Sequence, residues 1–177
     1  MIKIKAILLL FATIILAACS SEKLNETSVI DEGRKQIATT ELDKWILENI
    51  TIPYGIEVVY RWEKNAGSAG SYIYPPKLEN VRKVLEAVRV MGLETYRLKE
   101  TGGEELLLGR LPIKLYLYGG GNPDTHGVER LNNPQLTAKE MCIYHVDDFN
   151  PADKDQVFVL MRSVHHQLAK CLMLHIA

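Results

Sequence analysis

Apolar residues recur at intervals of three and four positions in three segments of the chain, which is the period of an amphipathic helix. The first segment begins at Thr40, which has the spacing of a capping box with Asp43, and we expect Pro53 to end it. The second segment is expected to end at Gly92, and the third begins at Pro151. The apolar positions of the three predicted helices are, in order, Leu42, Trp45, Ile46 and Ile50; Leu78, Val81, Val84, Leu85, Val88 and Met91; and Val157, Leu160, Met161, Val164, Leu168 and Leu172.

Three shorter segments, residues 55–62, 112–118 and 141–146, have the features of strands. The first is dense in β-branched and aromatic residues, and the second alternates apolar and polar positions until Gly119 ends it. Residues 119–134 are predicted to form an irregular loop. Helices that alternate with strands in this order predict an α+β fold, in which a small mixed or antiparallel sheet packs with helices.

Residues 1–18 have the plan of an export signal rather than of a membrane-spanning helix. Lys3 and Lys5 form a basic start, and the apolar run after them is shorter than the roughly 20 residues that are needed to cross a bilayer. The run ends in the quartet Leu-Ala-Ala-Cys, which resembles a lipobox, and so we expect Cys19 to become the acylated first residue of the mature chain. Acyl chains on Cys19 would bury many methylene groups in the membrane, at about 0.8 kcal/mol each, which is enough for a stable anchor.

The residues after the signal are expected to divide into a lipidated polar tether, residues 19–38, and one domain, residues 39–177. The chain has 21 basic and 22 acidic residues without a long block of either sign, so nucleic acid is not an expected partner. Ser20, directly after the lipidated cysteine, indicates sorting to the outer membrane by resemblance to Gram-negative lipoproteins. We therefore expect a protein of the cell envelope that is held at a membrane by its lipid.

The third predicted helix contains His165 and His166, followed by Gln167 and Lys170, in the frame of the motif H-H-E-x-x-H. With these residues, and with the segments LDKWI, IPYGIEV and YRW, the chain resembles the substrate import-associated zinc metallohydrolase lipoproteins of Bacteroidetes. The resemblance implies the N-terminal portion of a zincin-like fold that ends in the active-site helix. It also implies zinc as the cofactor and components of TonB-dependent import as partners.

Two positions of the motif have lost the chemistry that the motif requires. In the intact motif, two histidines four residues apart bind one zinc ion, and the glutamate after the first histidine acts as general base. His166 matches the first ligand, whereas Gln167 stands at the position of the base and Lys170 at that of the second ligand. An amide cannot take a proton from water, and an ammonium group has no lone pair for a metal. We therefore expect zinc not to be held stably and the chain to be inactive as a hydrolase in this form.

Two explanations of the interrupted motif remain open at this point. One is a natural pseudo-enzyme that retains the scaffold for binding. The other is a gene fragment or frameshift, because members of the family continue well beyond the motif, and residues 39–177 would then be an incomplete domain. We slightly favour the second explanation, since loss of the rest of a domain would expose apolar surface.

The remaining cysteines and histidines give weaker indications of chemistry. Cys142 and Cys171 could form a disulfide in an oxidising envelope, but two small buried residues are the favoured interpretation. Cys171 and His175 are four residues apart, yet ordinary packing is favoured over a two-ligand metal site. His126, in the predicted loop, and His145, in the third predicted strand, have no partners at ligand spacing and are expected to be solvated or packed in the core.

A second function from a different class is a non-catalytic accessory lipoprotein that binds a glycan, a peptide or a partner of the import system. Its basis is a set of aromatic side chains, because aromatic faces can stack on sugars. Packing of the same side chains between strands and helices is the favoured interpretation. The set comprises Tyr54, Tyr60, Trp62, Tyr72, Tyr74 and the residues from Tyr116 to Gly121.

Overall fold

The computed structural model describes residues 40–62, 73–124, 126–131, 136–137 and 139–173. All of them belong to one compact unit, Ile37–Ala177. Cys19, the export signal, the whole tether, Tyr72 and His175 lie outside the described residues. Among the described residues, no helix combines the length and the apolar character that crossing a membrane requires.

Helix α1 runs through three segments, Glu41–Ile46, a π-helical turn at Leu47–Thr51, and Ile52–Tyr54. The predicted capping box is confirmed, because the backbone N–H of Asp43 donates to Thr40 Oγ1 over 3.1 Å and the N–H of Thr40 donates to Asp43 Oδ2 over 3.0 Å. The prediction that Pro53 ends the helix is wrong. The end comes at Gly55, which adopts a left-handed conformation with φ of 69° that glycine reaches without strain.

Helix α2 consists of Leu78–Ala87, a π-helical segment at Val88–Leu93, and Glu94–Arg97. The predicted end at Gly92 is therefore wrong as well. Gly92 is buried inside the helix, where a Cβ atom would lie 2.9 Å from Val164 Cγ1. The close approach of the helix that contains Val164 explains the glycine at this position, and a helix end does not. A short 3₁₀ turn at Lys99–Thr101 and helix α3, Gly103–Leu107, follow.

The sheet has three strands, β1 (Glu57–Val59), β2 (Lys114–Leu117) and β3 (Glu140–Ile143), in the order β1-β2-β3. A small sheet combined with helices confirms the expected α+β class. Both strand pairs are parallel, so the expected mixed or antiparallel pairing is wrong for the described strands. Helices α2 and α3 lie between β1 and β2 in the chain, and a long crossover of this kind returns the chain to the same end of the sheet. After β2, the described part of the predicted irregular loop contains one isolated bridge, between Pro123 and Glu129.

Helix α4, Lys154–Met173, packs on the sheet and on α2. Of the apolar positions that predicted it, Leu160, Val164 and Leu168 are buried. One continuous core joins α1, α2, the three strands and α4. Its fully buried side chains include Ile50, Ile56, Val81, Val84, Leu85, Leu117, Ile143, Val146, Val164 and Leu168.

Candidate functional site

The three motif positions occupy two different sides of helix α4. His166 and Lys170 are exposed, whereas Gln167 is 5% exposed and faces the protein interior. Successive residues are rotated by about 100° around a helix, so His166 and Lys170 share one side while Gln167 points away from it. The sequence correctly placed His166 and Lys170 on a common helix face. It did not show that Gln167, the position of the general base, is buried.

The amide of Gln167 is bonded to the backbone of β3. The N–H of Cys142 donates to Gln167 Oε1 over 2.9 Å, and Gln167 Nε2 donates to the carbonyl oxygen of Cys142 over 2.8 Å. The carbonyls of Lys139 and Ile143 accept hydrogen bonds from residues that flank β2. Backbone groups of successive residues in a strand point to opposite edges, so those of Cys142 point away from β2. Gln167 therefore pairs with β3 as a neighbouring strand would, at the edge that no described strand covers.

A second set of bonds completes the surroundings of this amide. Gln167 Nε2 also lies 3.0 Å from Ser163 Oγ and 3.2 Å from the carbonyl oxygen of Leu131, and Ser163 Oγ itself donates to that carbonyl over 2.8 Å. The amide of Gln167 therefore links α4 to β3 and to the loop residue Leu131. The sequence contained one signal of this role, since Gln167 lies between Val164 and Leu168 on the predicted apolar face.

The other motif histidine, His165, makes a contact of its own. Its Nδ1 lies 3.2 Å from the hydroxyl oxygen of Tyr96 at the end of α2, and the two rings meet edge to face. Burial raises the pKa of the Tyr96 hydroxyl above its ordinary value, which already lies well above neutral pH. The contact ties α4 to α2 and brings no further metal-binding group to His166.

The two described cysteines are buried core residues, as the favoured interpretation had it. Cys142 is 0% exposed in β3 and Cys171 is 2% exposed in α4, and no disulfide joins them. Burial raises the pKa of the Cys171 thiol, which opposes the thiolate form that reacts with metals and disulfides.

His126 and His145 are both exposed, and the ring of His145 lies beside two acidic groups. Strand β3 ends at Ile143, so His145 lies in the loop beyond it and not in a strand as predicted. Its φ of 60° is uncommon for a residue with a side chain, and its ring nitrogens lie 3.3 Å from Glu129 and 3.4 Å from Asp148. Sequence spacing could not reveal this grouping, because the loop brings Glu129 to His145 from a distant part of the chain.

The zinc ion that the resemblance implies does not fit the described residues. Among them, no group of three or more His, Cys, Asp or Glu side chains is placed to hold a metal ion. A catalytic zinc site uses three protein ligands and a water, and here an exposed His166 is accompanied by a lysine at the next ligand position.

The aromatic side chains proposed for sugar stacking mostly pack within the protein. Tyr54 and Tyr60 are 8% and 6% exposed, and their hydroxyls donate to the carboxylates of Glu94 and Asp43. Trp62 donates from Nε1 to the carbonyl oxygen of Leu117. Tyr54, Tyr60 and Trp62 therefore support the packing interpretation, whereas Tyr74 is 37% exposed.

Residues 35–177 match the model of the family of putative zinc-binding metallo-peptidases. The match covers most of the chain, so this protein belongs to that family. No curated protein and no solved structure matches it. Membership of this family confirms the resemblance to putative zinc metallopeptidases. It contrasts with the side chains at the motif positions, which do not fit a zinc ion.

Proposed function

We propose that this protein is an envelope-anchored lipoprotein of the zinc-metallopeptidase family that does not hydrolyse peptide bonds in this form and acts as a binding accessory. The observation that carries the proposed absence of hydrolysis is the position of Gln167. Its amide forms two bonds with the backbone of Cys142 and is buried, so the position of the general base serves to hold α4 against β3.

The chemistry of the motif supports the same conclusion independently of the fold. A glutamine cannot accept a proton from a water molecule, and the ammonium group of Lys170 repels a dication at the place where a ligand should stand. A hydrolase that lacks both the base and a ligand has no means of activating water. The described residues retain a continuous core and an exposed motif histidine, His166.

The anchoring and the import association rest on the sequence. The quartet that ends in Cys19 supports lipidation, and Ser20 supports sorting to the outer membrane. The likeness to import-associated lipoproteins supports a role beside TonB-dependent import components, with a glycan, a peptide or an import protein as the bound partner.

Zinc binding by the full chain tests the absence of a metal site. The chain is purified from membranes in an uncharged detergent, equilibrated with zinc and desalted, and the retained zinc is measured by mass spectrometry. We expect the unchanged chain, His166→Ala and the matched control His126→Ala to retain equally little zinc. One equivalent held by the unchanged chain and by His126→Ala, but lost by His166→Ala, would overturn the proposal.

A further inference from the structure

A cavity of about 330 Å³ lies beside the first half of α4. It is bounded by the end of β3, the loop around residue 145 and the segment 129–131. Its size is at the lower end of the range of small-molecule sites. The interior is formed by apolar side chains, with Ile143, Phe149 and Leu160 buried and Val159 at the opening.

The rim of this cavity is acidic. Glu129, Asp148 and Asp155 contribute carboxylates, and Arg130 contributes one guanidinium group. The charge of Arg130 also acts on Asp124, whose pKa is lowered by the backbone bonds from Val128 and His126 and, to a smaller extent, by this guanidinium. The cavity opening therefore has an excess of negative charge over an apolar interior.

The loop around the cavity is built to hold two of these carboxylates in place. His145 lies between Glu129 and Asp148, with its ring nitrogens 3.3 Å and 3.4 Å from their oxygens. Gly121 permits this arrangement, since a Cβ atom there would be 2.5 Å from His145 Nε2 and 2.6 Å from Glu129 Oε1. Glu129 is fixed further by accepting the backbone N–H of Asn122 over 2.6 Å.

We propose that this cavity binds a small amphipathic cation, a molecule with an apolar body and one ammonium group. The apolar body would enter between Phe149 and Leu160, where it loses contact with water. The ammonium group would remain at the opening, where carboxylates such as Glu129 and Asp148 attract it. A carboxylate on the same apolar body would be repelled. The inference goes beyond the proposed function, because the cavity does not include His166 or Lys170 and does not depend on the loss of hydrolysis.

Two probes that share a phenylethyl body and carry opposite charges test the proposal on the full chain in an uncharged detergent. They are 2-phenylethylammonium and 3-phenylpropionate, and binding is measured by calorimetric titration. We expect the ammonium compound to bind about tenfold or more tightly than the carboxylate, a difference of about 1.4 kcal/mol. Equal binding of the two probes, or no binding of either at millimolar concentration, would overturn the proposal.

Matched variants locate the binding. Val159→Trp places a large side chain at the opening and should abolish binding, whereas Phe158→Trp, at a neighbouring exposed position outside the cavity, should leave it unchanged. Asp148→Asn should weaken the ammonium probe by about two- to fivefold, and the exposed Glu86→Gln should have no effect. Equal effects of the two tryptophan variants would place the probe elsewhere and contradict the proposal.

Discussion

A glutamine and a glutamate have nearly the same shape, and at position 167 they differ in what they can donate. The backbone of Cys142 offers one donor and one acceptor to this side chain, and an amide matches both. An ionised carboxylate could accept the N–H but would place its second oxygen against the carbonyls of Cys142 and Leu131. Restoring the motif at this residue therefore conflicts with the packing of the helix.

Gln167→Glu should destabilise the protein by about 2–4 kcal/mol at neutral pH, through a buried charge whose second oxygen faces carbonyl oxygens instead of donors. The pKa of the new carboxyl should be above its ordinary value, since burial and the facing carbonyls disfavour ionisation. The unfolded chain then releases this proton at lower pH than the folded chain, so the loss of stability grows as pH rises above the ordinary range of a glutamate.

Urea unfolding at pH 5 and pH 8 measures the effect of Gln167→Glu. Lys170→His, a change at an exposed position of the same helix, is the control and should alter the free energy of unfolding by less than about 0.5 kcal/mol. A glutamate variant as stable as the unchanged chain at pH 8 would show that the amide bonds to Cys142 are dispensable.

Tyr60 links the start of α1 to the segment after β1, and its hydroxyl makes the free energy of unfolding depend on pH. Burial, followed by the hydrogen bond to Asp43, raises the pKa of its hydroxyl to about 12. In the unfolded chain the group ionises near pH 10, so its contribution to stability is present below pH 10 and is lost as pH rises towards 12. We expect the free energy of unfolding to fall less steeply above pH 10 in Tyr60→Phe than in the unchanged chain. Identical slopes in urea unfolding at pH 9, 10 and 11 would contradict this assignment.

At the scale of elements, the contact between α2 and α4 explains a glycine in the interior of a helix. Alanine is favoured over glycine there by about 1 kcal/mol in an isolated helix, but the added Cβ at position 92 would lie 2.9 Å from Val164 Cγ1. Gly92→Ala should therefore destabilise the protein by about 1–3 kcal/mol instead of stabilising it.

A double-mutant cycle of Gly92→Ala with Val164→Ala tests the contact. The smaller residue at 164 removes the methyl group that the new Cβ meets, so the double variant should be more stable than the sum of the single effects predicts. Urea unfolding of the four chains provides the coupling free energy. A coupling near zero would show that the helices shift apart freely at this point.

Helix α4 also decides whether repairing the motif can restore activity. We predict that Gln167→Glu with Lys170→His will not produce hydrolysis, although it returns the residue types of the motif. Position 167 faces β3 while positions 166 and 170 face outward, and the described residues supply no third ligand. Peptidase assays with added zinc, and with the single variants as controls, measure this. Zinc-dependent cleavage by the double variant would show that the helix can present a base and ligands to one metal ion.

At the scale of the whole molecule, the lipid on Cys19 is expected to determine where the protein acts. Cys19→Ala should block acylation and cleavage, so the chain should keep its signal and lose the lipid-modified mass that the unchanged chain shows after purification from membranes. Mass spectrometry of both chains, with Cys142→Ala as the cysteine control, makes the comparison. A mature N-terminus without lipid in the unchanged chain would contradict the anchoring proposal.

The sequence by itself determined the elements whose patterns are local. The capping box at Thr40, the apolar period of α4 and the α+β class follow from spacing along a few turns or strands, and the structure agrees with each. The proposal that the motif lacks a base and a ligand likewise rests on residue types, because an amide and an ammonium group lack those functions wherever they are placed.

Only the tertiary structure decided the properties that depend on residues far apart in the chain. Parallel pairing of the strands, the burial of Gly92 against Val164, and the grouping of His145 with Glu129 arise from contacts between distant segments. The role of Gln167 belongs to the same class. Its side chain is explained by the edge of β3 that no described strand covers, and backbone donors and acceptors at a sheet edge become visible only when the order of the strands is known.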